Sequence, residues 1–176
     1  DHAGELLLRH HYKSNELLQA AERMVRLPTN WSQKVLKSAV MDEDKQREAL
    51  AMFALAQSYH SLAEAPVAFG NLDEKSLKLS EKSLGKAYFE QIRGIDGPTM
   101  DRDAEQLLDE LVEKYSDVAQ NGRPLSVRVE SLLFEIRNLA IGKVAPEIEG
   151  EDIEGKPMKL SDYRGKVVVL DFWGHW

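Results

Sequence analysis

The chain has 176 residues, 43% hydrophobic and 30% charged, which suits one medium domain or two small ones. A net charge of −7 at pH 7 argues against a nucleic-acid-binding surface, which needs clustered Lys and Arg. No apolar run reaches the roughly 18–20 residues that span a bilayer, no signal-peptide pattern opens the chain, and there is no Cys.

The first residue is Asp1 and not Met, as expected of a mature product or a fragment. Without Cys, composition leaves the redox compartment open. Up to about residue 141 helical periodicity dominates, and from Gly142 onward the composition turns to Gly, Pro, acidic and then β-branched residues. The expected domains are therefore a helical one over 1–141 and a second over 142–176.

In the first segment, 3–27, Leu6, Leu7, Leu17, Leu18, Ala21 and Val25 form a loose apolar pattern that ends at Pro28. Asn30 with Gln33 predicts a capping box for a short helix through about Ala39. Asp42 then predicts the cap of a longer helix, with Ala49, Phe53, Ala56, His60 and Ala63 on one face and Pro66 stopping it. Leu77, Leu84, Tyr88, Ile92 and Ile95 make the stripe of the next helix, which ends near Gly94 or Gly97.

Two clearer helices follow. Asp101 is the expected cap of the first, and Ala104, Leu108, Leu111, Tyr115 and Val118 are its apolar face, with Gly122 ending it. Pro124 opens the second, which carries Leu125, Val129, Leu132, Ile136 and Leu139, with Gly142 as its C-cap. Leu55, Ala56 and Tyr59, and then Ala87, Tyr88, Phe89 and the 104–115 stretch, resemble degenerate tetratricopeptide units at an irregular period. A plain antiparallel bundle explains the same pattern equally well.

After Gly142, Ile148 and Ile153 stand among acidic residues, and 152–155 has turn chemistry, so a β-hairpin with a solvated face is expected. Ser161 is a candidate N-cap for one helical turn. Val167, Val168, Val169 and Leu170 lie in 166–173, which reads as a central strand covered on both faces. The predicted fold class is mainly α, a helical bundle or degenerate repeat followed by a hairpin and one central strand of an α/β domain.

Three pieces of 142–176 together resemble the opening of a redoxin domain of the TlpA/AhpC-TSA type in the thioredoxin-like superfamily. Val144-Ala-Pro-Glu-Ile148 is similar to its entry segment. Asp152-Ile-Glu-Gly-Lys-Pro-Met-Lys-Leu-Ser-Asp-Tyr-Arg-Gly-Lys166 is similar to its hairpin and loop. Val167-Val-Val-Leu-Asp-Phe-Trp-Gly-His-Trp176 is similar to the strand that leads to its Cys-x-x-Cys. The resemblance implies a thiol-disulfide oxidoreductase, truncated here, with its redox cysteines expected directly after Trp176. A strand running into a helix N-terminus would lower the pKa of such a Cys.

The resemblance makes Asp171 a buried proton acceptor for the second thiol, since burial raises a carboxyl's pKa. Trp173, Gly174, His175 and Trp176 would flank the site, His175 beside the thiolate. A protein disulfide is the implied substrate, and a peroxide the alternative. The 173–176 Trp-x-x-Trp approach favours disulfide exchange. No cofactor is implied, and the family's TlpA-like members work outside the cytoplasm.

Other patterns point to structure. His10 and His11 are adjacent, so on a helix they diverge and make no i, i+4 metal pair. His60 lies on an apolar stripe and reads as a satisfied, partly buried histidine. Glu147, Glu149, Glu151, Asp152 and Glu154 lack the oxygen-ligand spacing of a calcium loop and read as a solvated hairpin face. No metal site is expected. With the cysteines missing, a helical module that binds a protein partner or oligomerises the redox domain is the activity left to this polypeptide.

Overall fold

The computed structural model describes residues 2–11, 13–26, 29–140 and 142–174. It divides into two compact units, Asp1–Ile136 and Arg137–Trp176. The architecture is mainly α with two small antiparallel hairpins.

The first unit is helical. It contains α1 (His2–His11), α2 (Asn15–Glu22), α3 (Asn30–Ala39), α4 (Lys45–Gly70), α5 (Glu74–Leu84), α6 (Lys86–Arg93), α7 (Gly97–Lys114) and α8 (Leu125–Phe134). Helix α4 is buried on all sides over 49–56, where its sequence is apolar all round and rich in Ala. Ala49, Met52, Phe53 and Ala56 enter one core with Ala104, Leu108 and Leu111 of α7, Leu125, Val129 and Leu132 of α8, and Ile136 just after it. Ala51, Ala54 and Leu55 enter a second core with Leu17, Leu18 and Ala21 of α2 and Val35, Leu36 and Ala39 of α3. Each fully buried large side chain is worth roughly 1.5–3 kcal/mol.

The apolar faces expected for α4 and α7 are buried as read, but several boundaries move. The opening segment is two helices, because Ser14 caps α2 by accepting from the Leu17 N–H at 3.3 Å. Leu27 and Pro28 lie outside the described residues. The cap of α3 is Thr29, whose Oγ1 accepts from the Ser32 N–H (3.2 Å) while Ser32 Oγ accepts from the Thr29 N–H (2.9 Å). Ser32 thus does what Gln33 was expected to do, one register earlier. Asp44, not Asp42, caps α4 by accepting from the Arg47 N–H at 3.0 Å. Asp42 instead takes the Arg47 Nε–H at 2.8 Å.

Pro66 does not stop α4, which continues to Gly70. A proline removes only its own N–H bond, and near the last turn few bonds remain to be broken. The single helix expected over the Leu77-to-Ile95 stripe is α5 and α6, split at Gly85 with φ +80°. A left-handed residue cannot continue a right-handed helix. Helix α5 buries none of its residues.

Helix α7 begins at Gly97, not after Asp101, and Tyr115 is its C-cap. An antiparallel pair, β1 (Ala119–Gln120) and β2 (Arg123–Pro124), follows. Asn121 at φ +54° and Gly122 at φ +75° form its turn. Asn-Gly is the strongest short-range hairpin signal, so Gly122 is a turn residue and not a helix stop. After α8 the chain widens into a π-helical turn, Glu135–Leu139, and Leu139 is 56% exposed, off the stripe it was assigned to.

Gly97 marks a close approach of α7 to α4, since a Cβ there would lie 2.7 Å from the Ala63 carbonyl oxygen. Gly70 has open space around it. Urea unfolding is expected to show Gly97→Ala destabilised by about 1–3 kcal/mol and Gly70→Ala within about 1 kcal/mol of the parent. Equal midpoints for the two would remove the close approach from the account.

Candidate functional site

The second unit holds the residues singled out by the resemblance. Strands β3 (Glu149–Glu151) and β4 (Pro157–Lys159) pair antiparallel with Glu149 opposite Lys159 and Gly150 opposite Met158. Asp152 builds the connecting turn. Its Oδ1 accepts from the Glu154 N–H (2.8 Å) and the Lys156 N–H (2.9 Å), and Gly155 supplies φ +78°. The acidic face is solvated and partly paired, Glu154 with Lys156 at 2.7 Å and Glu149 with Lys159 at 2.5 Å.

A 3₁₀ turn, Leu160–Tyr163, follows β4. Ser161 lies inside it and is not its N-cap. The carboxylate that caps it is Asp162, accepting from the Lys159 N–H at 3.0 Å. Ser161 instead donates its backbone N–H to Glu147 Oε1 at 3.0 Å, and the Leu160 N–H bonds the Ile148 carbonyl at 2.9 Å. These two bonds tie the entry segment to the loop.

The segment 166–173 has no hydrogen-bonded ladder, so the expected central strand is absent as a paired element. A strand exists only with a neighbour to bond, and two-sided cover requires helices on both faces. Val167 and Val169 are 97% and 88% exposed, Val168 and Leu170 40% and 49%, so the period-two alternation of a strand survives without its sheet. Asp171, Phe172 and Trp173 are exposed and Gly174 is half-buried. His175 and Trp176 lie outside the described residues.

The helical unit carries one further polar cluster. His60 is 6% exposed and its Nδ1 lies 2.8 Å from Asp101 Oδ1. A carboxylate only accepts, so Nδ1 donates to Asp101, and in the neutral ring Nε2 then presents its lone pair. Nε2 has no hydrogen-bond partner, with Glu64 Oε1 at 3.9 Å and Glu135 Oε1 at 4.0 Å. An unsatisfied buried atom of this kind costs roughly 1–3 kcal/mol. The expectation of a fully satisfied His60 therefore holds for one ring nitrogen only. Asp101 was read as a cap, and no sequence spacing links it to His60. Among the described residues no group of three or more His, Cys, Asp and Glu is arranged to hold a metal ion. His10 and His11 are both exposed.

Bonds from Ser161, then from the Ile148 N–H, hold the Glu147 carboxyl below its ordinary range. A depressed carboxyl pKa adds stability above the ordinary glutamate value and loses it as the pH falls through the lowered one. The Ser161 amide resonance is expected to titrate on acidification in the wild type and to stay still in Glu147→Ala. A wild-type Ser161 resonance indifferent to pH would contradict the latch.

Residues 141–176 match the AhpC/TSA family. Over 38 residues the chain is 50% identical to the thiol-disulfide oxidoreductase ResA of Geobacillus thermodenitrificans, covering 22% of each chain. The ResA proteins of Bacillus cereus and Bacillus anthracis match with the same identity and coverage. The chain thus spans about a fifth of the length of these curated relatives. No solved structure matches it. The hairpin, the carboxylate-tied loop and the Asp-Phe-Trp stretch fall within the matched residues, and this segment is a thioredoxin-like redoxin segment of the AhpC/TSA family.

Proposed function

We propose that the chain is part of a thiol-disulfide oxidoreductase, with 1–141 as a helical domain and 142–176 as the N-terminal part of its redoxin domain. The observation that carries this is the agreement of three ordered motifs across 142–174 with a 50% identity to ResA proteins in the same region. In the complete enzyme a thiolate attacks one sulfur of a protein disulfide, forming a mixed disulfide and releasing the partner sulfur as thiolate. The second enzyme thiol then displaces the substrate, leaving it reduced and the enzyme oxidised. Neither thiol lies within these 176 residues, which contain no Cys. Both are expected directly after Trp176.

Asp171 is the proposed proton acceptor for the second thiol. Its exposure here fits a segment without its sheet, and a full sheet would bury it. Trp173, Gly174, His175 and Trp176 would then border the site. An extracytoplasmic location follows from the TlpA-like resemblance. No described helix is long and apolar enough to cross a membrane.

A second reading concerns the helical unit. Helix α5 buries no residue although it carries Leu77, Leu79 and Leu84, and Leu79 is 64% exposed. With Leu77 and Leu84 half-buried and Leu79 exposed, this incompletely covered face favours docking onto a protein partner.

Sequencing the encoding gene beyond Trp176 is expected to give Cys-x-x-Cys. A lone Cys preceded by Thr or Ser would indicate a peroxidase, and no Cys within a few residues would sink both redox readings. In the full-length enzyme, Asp171→Asn is expected to slow insulin reduction by about 10²-fold, the lower range for loss of a proton-transfer group. An unchanged rate would remove Asp171 from the mechanism.

A further inference from the structure

We propose that the cavity beside His60 binds a primary ammonium group carried on an aliphatic stem. This reading is independent of the redox activity, since every residue involved belongs to the helical unit. The cavity has a volume of about 510 Å³. Its polar wall holds His60, Glu64 and Glu135, with Arg26 the one cation among the lining residues. Asp101 backs His60 from α7 at 2.8 Å.

The site presents acceptors. Asp101 engages Nδ1, so the neutral ring turns its Nε2 lone pair away from Asp101, and two carboxylate oxygens stand 3.9 and 4.0 Å from that nitrogen. A ligand that supplies several N–H donors and a positive charge satisfies all three at once. Zinc is a poorer fit. Tetrahedral bonds of about 2.0–2.1 Å place neighbouring ligand atoms roughly 3.4 Å apart, closer than these are. An ammonium nitrogen at about 2.9 Å from each acceptor spans this spacing at an angle of about 85–90°, within reach of its three donors.

The remaining wall is apolar. Val25, Phe69 and Leu132 line it, so a methylene stem is covered while the charged head meets the acceptors. Glu64 and Glu135 are 65% and 54% exposed, so an entering ligand meets them before it reaches the ring. The same head group occurs on a free aliphatic amine and on a lysine side chain.

The test uses the whole 176-residue chain and the ring-nitrogen resonances of His60, titrated with n-butylammonium, n-butanol, and Nα-acetyl-lysine methylamide with and without Nε-acetylation. Butylammonium is expected to move Nε2, butanol and the Nε-acetylated lysine to leave it still, and Glu64→Gln/Glu135→Gln to weaken butylammonium binding at least tenfold. Tighter binding of the lysine compound assigns a protein side chain as the natural ligand, and tighter binding of butylammonium assigns a free amine. Equal shifts from butanol, unchanged affinity in the double variant, or a Zn²⁺ response without an amine response would each overturn the proposal. Circular dichroism of the variant keeps loss of fold distinct from loss of the site.

Discussion

The helical unit depends on one helix whose central turns are buried on every side. Helix α4 contributes to two cores that share no fully buried residue, one with α7 and α8 and one with α2 and α3, and Val40, Tyr59 and Leu107 pack against both. It can serve both because Ala supplies small contacts around much of its circumference, while Met52, Phe53 and Leu55 supply bulk at chosen points. Close approach follows, and at Gly97 it leaves no room for a methyl group. Its entry is held by the buried Arg47, which donates to Asp42 at 2.8 Å and to the Ser14 carbonyl at 3.3 Å. A helix so largely covered also buries some of its polar residues, and His60 is met there by Asp101 of α7.

The second unit is held by another kind of force. None of residues 142–174 is buried, so hydrogen bonds and turn chemistry do the work that a core does in the helical unit. Carboxylates dominate: Glu147 takes the Ser161 N–H, Asp152 two turn amides, and Asp162 the Lys159 N–H. The acidic run that looks like a charged surface in sequence is therefore divided among specific backbone donors and lysines. The apolar stretch 166–173 keeps its alternating exposure but has no ladder. Such a stretch is prone to pair with another strand, because its backbone groups have no partner in a sheet.

Much of this was legible in the chain itself. The faces of α4, α7 and α8 follow from spacing alone, because a 3.6-residue period is a property of each segment. The hairpin over β3 and β4 is legible because Asp152 and Gly155 carry local turn chemistry. Caps were read less well. Thr29, Ser32 and Asp44 lie one or two residues from the residues assigned to the task, and several polar residues in a row offer the same hydrogen bond. The β1–β2 hairpin was missed although Asn121-Gly122 signals it, because Gly122 also reads as a helix stop.

By itself the sequence determined the mainly helical class, the apolar faces and the redoxin character of the C-terminal segment, since all three rest on residue types at short separations. Only the tertiary structure decided which residues meet across long ones. The His60–Asp101 pair joins positions on two helices, the two-sided burial of α4 depends on what packs against it, and the unpaired state of 166–173 depends on the neighbours a strand has. Each is a property of placement between segments, which no local period or motif encodes.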